Sequence, residues 1–101
     1  MKENLIEIGR ILYIIIDYKQ YAKIIKGEII NLTNDDFHIS TFESGKNKGT
    51  FIFSFTQPNI FISDNKEDAN LIFYAINFRS QNYENTPDIL ESKKKYPELW
   101  I

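Results

Sequence analysis

Two periods of hydrophobic and polar positions divide this chain. Phe37, Ile39 and Thr41 alternate with His38 and Ser40, and Phe51, Phe53 and Phe55 alternate with Ile52 and Ser54. A period of two predicts strands that turn one face inward. Ala69, Ile72, Phe73 and Ile76 recur instead at helical spacing, which predicts a helix running to about Arg79. The run from Ile11 to Ile16 fits both periods, because Leu5, Ile8, Ile11, Leu12 and Ile15 also have helical spacing. Its β-branched and aromatic composition after Gly9 decides for a strand over about residues 10–16, with a helix as the alternative.

Turn chemistry supplies the boundaries. Residues 21–32 are extended, with Lys26-Gly27 marking a kink or bulge. Thr33-Asn34-Asp35-Asp36 has the composition of a turn. Residues 43–49 form a polar, glycine-bounded loop, and Gln57-Pro58-Asn59 turns the chain into a short last strand over 60–62. Asp64-Asn65-Lys66-Glu67 has the spacing of a capping box, with Asp64 as cap and Glu67 reaching back. Thr86-Pro87-Asp88 places a cap, a proline and an acid at the start of a second helix, which ends before Pro97.

The expectation is a single α+β domain. Residues 9–62 make a small antiparallel β-barrel or meander, residues 64–79 a helix covering an open end or face, and residues 80–101 an extension with a short helix. Ile14, Ile29, Phe53, Phe61 and Ile72 are expected in one core. Trp100 is expected to dock within the chain, on the barrel or its helix, with a partner interface as the alternative.

Composition narrows the function classes. The chain has 101 residues, 43% of them apolar, enough for one modest core. Cysteine is absent, which removes disulfides, thiolate metal sites and a cysteine nucleophile, and favours a reducing cytoplasm as the location. No run approaches the ~20 apolar residues of a bilayer span, and no cleavable leader is expected. Net charge is −2, and Lys93-Lys94-Lys95 is the one concentrated basic run, so nucleic acid and membrane surfaces are not the expected partners. Isoleucine, lysine and asparagine abound while valine is missing, a bias that AT-rich codons produce.

Gly27-Glu28-Ile29-Ile30 ending a strand, followed by later strands and Asn59-Ile60-Phe61-Ile62-Ser63-Asp64-Asn65-Lys66-Glu67-Asp68-Ala69, resembles small proteins of phages and mobile elements in low-GC bacteria. Many of those are SH3-like barrels whose last strand leads into an acidic helix. The resemblance covers about residues 9–78 and nothing in 80–101. It implies a fold and a genomic setting and carries no catalytic residue.

Chemical motifs are few. Asp88, Glu91 and Lys93 superficially spell a nuclease signature, but all three fall on one short helix, where acids first and lysines last suit the helix dipole. Residues 44–50 hold glycines and lysines without the spacing or the following helix of a phosphate loop. His38 is the lone histidine, so neither a triad nor a multi-histidine metal site forms around it. Asp35 and Asp36 are adjacent turn acids that point apart. No catalytic residue, metal or cofactor is expected.

Tyr18 and Tyr21, in the polar stretch Asp17-Tyr18-Lys19-Gln20-Tyr21, are instead the aromatics suited to an interface. Lys46, Lys48 and Trp100 complete the candidate partner-binding set. The expected function is a non-catalytic protein-binding module that inhibits a host protein, such as a CRISPR-type defence nuclease complex. The alternative is a nucleic-acid-binding barrel using Tyr18, Tyr21 and Phe42 to stack bases.

Overall fold

The computed structural model describes residues 5–41, 49–81 and 84–100. Five strands, β1 (Ile11–Asp17), β2 (Ala22–Leu32), β3 (Asp36–Thr41), β4 (Thr50–Ser54) and β5 (Ile60–Ser63), form one antiparallel sheet in the order β4-β3-β2-β1-β5. Two helices follow, α1 (Lys66–Phe78) and α2 (Pro87–Lys95), and a 3-10 turn over Pro97–Trp100. The strand expected over residues 10–16 is present, and the helical alternative is not. No helix among the described residues is long and apolar enough to cross a membrane.

The sheet stays open, with β4 and β5 as its edges, so of the expected barrel or meander it is the meander that forms, β1 to β4 each pairing with the next. It is nevertheless strongly curled. Phe53 of β4, Ile60 of β5 and Ile6 ahead of β1 share one buried cluster with Leu12, Ile14, Ile29, Phe37 and Ile39. Lys23, at the start of β2, places its ammonium 5.9 Å from the Phe51 ring of β4. The two edge strands thus contribute side chains to one core without a backbone ladder between them.

The curl passes through β2. Its first half pairs with β1, and from Gly27 onward it also pairs with β3. A Cβ at Gly27 would collide with Ile39 Cγ2 and stand 2.5 Å from the Ser40 carbonyl oxygen, so glycine permits the close approach of β3. The bulge expected at Lys26-Gly27 lies further on, between Ile29 and Asn31.

The other face of the sheet carries α1. Ala69, Ile72 and Ile76 pack with Ile15 and Ala22, and Tyr13, Ile24, Phe61, Tyr96 and Leu99 border them. The single core expected from sequence is thus two clusters. Ile14, Ile29 and Phe53 lie inside the curl, while Ile72 of α1 and the half-buried Phe61 of β5 belong to the cluster between the helix and the sheet. Alternation along β5 causes the split, because Ile60 and Ile62 share one face and Phe61 takes the other.

Residues around α1 fix its position. Its cap is Asn65 and not Asp64: Asn65 Oδ1 accepts from the amides of Glu67 at 2.8 Å and Asp68 at 3.2 Å. Ser63 Oγ accepts from Asn65 N–H and donates to its carbonyl, both at 3.0 Å, holding Asn65 in extended geometry. Further along, Asn77 Oδ1 accepts from Ala22 N–H at 2.9 Å, joining the helix to the start of β2. The second helix starts where expected, with Thr86 as cap and Pro87 at its first position.

Candidate functional site

Tyr18 and Tyr21 flank the two-residue tip of the β1–β2 hairpin. Both are exposed, at 44% and 56%, and their rings stack with centroids 4.9 Å apart and planes at 26°. The backbone beneath them is constrained. Tyr18 N–H donates to the Tyr21 carbonyl at 2.9 Å, and Gln20 N–H donates to the Tyr18 carbonyl at 3.0 Å. Lys19, between them, has φ +76°. That bond and that φ are those of the strained γ-turn, and a lysine held there costs on the order of 1–3 kcal/mol.

Asp17 supports the strained turn. Its Oδ1 accepts from Lys19 N–H at 2.7 Å, while Oδ2 pairs with Arg79 at 3.1 Å. Arg79, the C-cap of α1, also donates to the Leu99 carbonyl at 3.4 Å. The tip is thereby braced from the body of the protein. Sequence reasoning singled out the two tyrosines; their stacking and the brace beneath them were beyond its reach, because Arg79 lies far away in the chain.

Trp100 is remote from that tip in its contacts. Its indole Nε1–H donates to Ser92 Oγ at 3.0 Å, and Lys93 lies over the ring at 5.3 Å. Ser92 is fully buried and donates to the Leu71 carbonyl at 2.5 Å, tying α2 to α1. The expected intrachain docking is present, but the indole hydrogen bond goes to α2 and not to the sheet or α1 as expected. Lys46, Lys48 and Phe42 lie outside the described residues.

A second surface escaped the sequence reading. A groove of about 610 Å³ runs along the free edge of β5, lined by Ile60, Phe61, Ile62 and Ser63. Leu5 stands on one side, with Ile72, Tyr96 and Leu99 on the other, and Asp64, Asp68 and Glu98 add three carboxylates to its lining. Asp68 is paired with Lys95, an exposed lysine whose pKa the hydrogen bond to Asp68 raises. Burial pushes the Tyr96 hydroxyl above its ordinary pKa, with the Asp68 charge adding to the effect. Three separate segments build this groove, so no local pattern announces it.

The remaining motifs show their surroundings plainly. Asp88 and Glu91 stand exposed on α2, one turn apart, among the residues lining a shallow groove with Glu67, Asp68 and Lys95. His38 is half-buried on the face opposite Phe37 and Ile39. Among the described residues, no three His, Asp or Glu side chains gather as a metal site would require.

No family model, curated protein or solved structure matches the chain.

Proposed function

We propose that this protein is a non-catalytic protein-binding module that engages its partner through the Tyr18–Tyr21 hairpin tip. The observation that carries the reading is the braced aromatic pair. Tyrosines supply large contact area, and rings already stacked on a constrained turn lose little freedom on binding. A strained φ persists only where the surroundings enforce it, and such positions cluster at functional sites.

The resemblance to phage and mobile-element proteins of low-GC bacteria, with their SH3-like barrels, extends the proposal. In that setting the partner is a host protein, and the module acts as its inhibitor in the cytoplasm, a CRISPR-type nuclease complex being one such target. The net charge of −2 supports a protein partner over a nucleic acid.

The test is affinity capture from a low-GC host lysate with wild-type protein and the Tyr18→Ala/Tyr21→Ala double variant. Both should unfold at similar denaturant concentrations, since neither ring is buried. A specific host protein retained by wild type, resistant to nuclease treatment and lost with the variant, is the expected result. Equal capture by both proteins would remove the tip from the interface. Retention that disappears with nuclease and falls steeply with salt would replace the protein partner by nucleic acid.

A further inference from the structure

The edge of β5 has backbone groups to spare. Asp17 N–H donates to the Asn59 carbonyl at 2.8 Å, and the register continues as Ile16 opposite Ile60, Ile15 opposite Phe61 and Tyr13 opposite Ser63. Antiparallel pairs alternate between bonded and non-bonded, so Phe61 and Ser63 turn their N–H and C=O groups toward β1. Ile60 and Ile62 therefore aim theirs away from the sheet, into the groove. An exposed edge of this kind is a template for another strand, and natural proteins usually blunt it with charge, proline or a covering segment. Here Ile60 and Ile62 are apolar, and the edge opens onto the groove.

We propose that the β5 edge receives an extended segment of another protein by strand addition, and that this segment alternates apolar with basic residues. Main-chain hydrogen bonds to Ile60 and Ile62 would supply the pairing, and side-chain seats on alternate sides would supply selectivity. The groove has such seats. An added strand sends successive side chains to opposite faces. On one face they meet the apolar Leu5, Ile60 and Ile62; on the other, the helix side, the Glu98 carboxylate joins Phe61, Ile72 and Leu99, so apolar side chains suit the first face and basic ones the second.

Charge selects the occupant. Asp64 and Glu98 line the groove, Asp68 beside them is already paired with Lys95, and among the described residues no lysine or arginine lines it. A second copy of this chain, edge to edge, would bring one set of these carboxylates toward the other. A segment bearing Lys or Arg between its apolar residues would neutralise them instead. This inference is independent of the tyrosine tip, because Tyr18 and Tyr21 are not among the groove's lining residues.

The experiment uses the full chain labelled for NMR and three synthetic peptides. One alternates lysine and valine, one alternates glutamate and valine, and the third is the lysine peptide N-methylated along one edge. The lysine peptide is expected to shift the Ile60 and Ile62 amides and slow their hydrogen exchange. The other two should bind at least about tenfold more weakly. Ile62→Pro removes an outward N–H without touching the β1 ladder, a position where proline is tolerated, and is expected to abolish the response. Asp64→Lys/Glu98→Lys leaves the backbone edge intact and should invert the preference toward the glutamate peptide.

Three results would overturn the proposal. One is equal binding of the lysine and glutamate peptides. Another is the absence of any response at Ile60 and Ile62. The third is protection of these amides without peptide that rises with protein concentration, which would assign the edge to a second copy.

Discussion

Inside the curl of the sheet, Leu12, Ile14, Ile29, Phe37 and Ile39 lose all exposure to strands of the sheet and the segment ahead of β1. On the opposite face Ile15 is equally buried, but beneath α1, while Ile11 and Ile52 stay 46% and 60% exposed beyond its cover. One face is buried by the sheet itself; the other depends on what lies over it. Substitutions inside the curl should therefore unfold the domain. Those on the helical side should first loosen α1, α2 and the tail, leaving the strands paired.

The largest test of this contrast is Phe37→Ala. Phe37 sits at the centre of the aromatic group, with Phe53 at 5.6 Å and Phe55 at 5.5 Å between ring centroids. Its truncation should cost about 3–5 kcal/mol, and strand and helix signals should disappear together in a denaturant titration. Separate transitions for strands and helices would contradict a core that serves the whole sheet.

Ser92→Ala comes next. It removes the acceptor of the Trp100 indole and the donor to Leu71, at an expected cost of about 1–3 kcal/mol. Tryptophan emission should shift to the red while the hydrogen-exchange protection of β1 and β2 persists. Unchanged emission would show that Ser92 does not hold the tail.

The cap gives a smaller and sharper comparison between neighbours. Asn65→Ala should destabilise by about 0.5–2 kcal/mol, whereas Asp64→Ala should leave the denaturation midpoint nearly unchanged. The reverse order would return the cap to Asp64.

The smallest expected effect is alkaline. The folded Tyr96 hydroxyl has its pKa raised from 10.0, chiefly by burial. Its contribution is therefore complete below pH 10 and is lost as pH rises through the higher folded value. The raised pKa of Lys95 acts in the same direction above 10.5. Tyr96→Phe should flatten the decline in helix-side stability above pH 10, measured by thermal unfolding across that range. An identical decline in both proteins would remove Tyr96 as its source.

Local chemistry made much of this molecule legible. Alternation in residues 37–41 gave β3, and Thr86-Pro87-Asp88 gave the start of α2, because each signal is complete within a few residues. The cap of α1 was ambiguous for the same reason: Asp64 and Asn65 are adjacent cap formers, and Ser63 decides between them through its hydrogen bonds to Asn65. The open edges, the split core and the β5 groove depend on which distant strands become neighbours. Leu5, Ile62 and Leu99 carry no pattern that announces their meeting. Of the candidate site, the tyrosines were visible as polar-flanked aromatics, whereas the support from Asp17 and Arg79 exists only in the folded chain.

The place of β1 in the sheet has a consequence in time. This strand lies between β2, made immediately after it, and β5, made only after the rest of the sheet. A ribosome releasing the chain from its N-terminus delivers the β1–β2 hairpin early, but Tyr13, Ile15 and Asp17 must wait for Ser63, Phe61 and Asn59 before their outward backbone groups are paired. Closing that separation costs chain entropy before any contact repays it, which places β5 docking among the slow steps of folding. During synthesis the β1 edge is consequently the part of the nascent sheet most open to wrong pairing, and a chain interrupted before Ile60 would keep it open permanently.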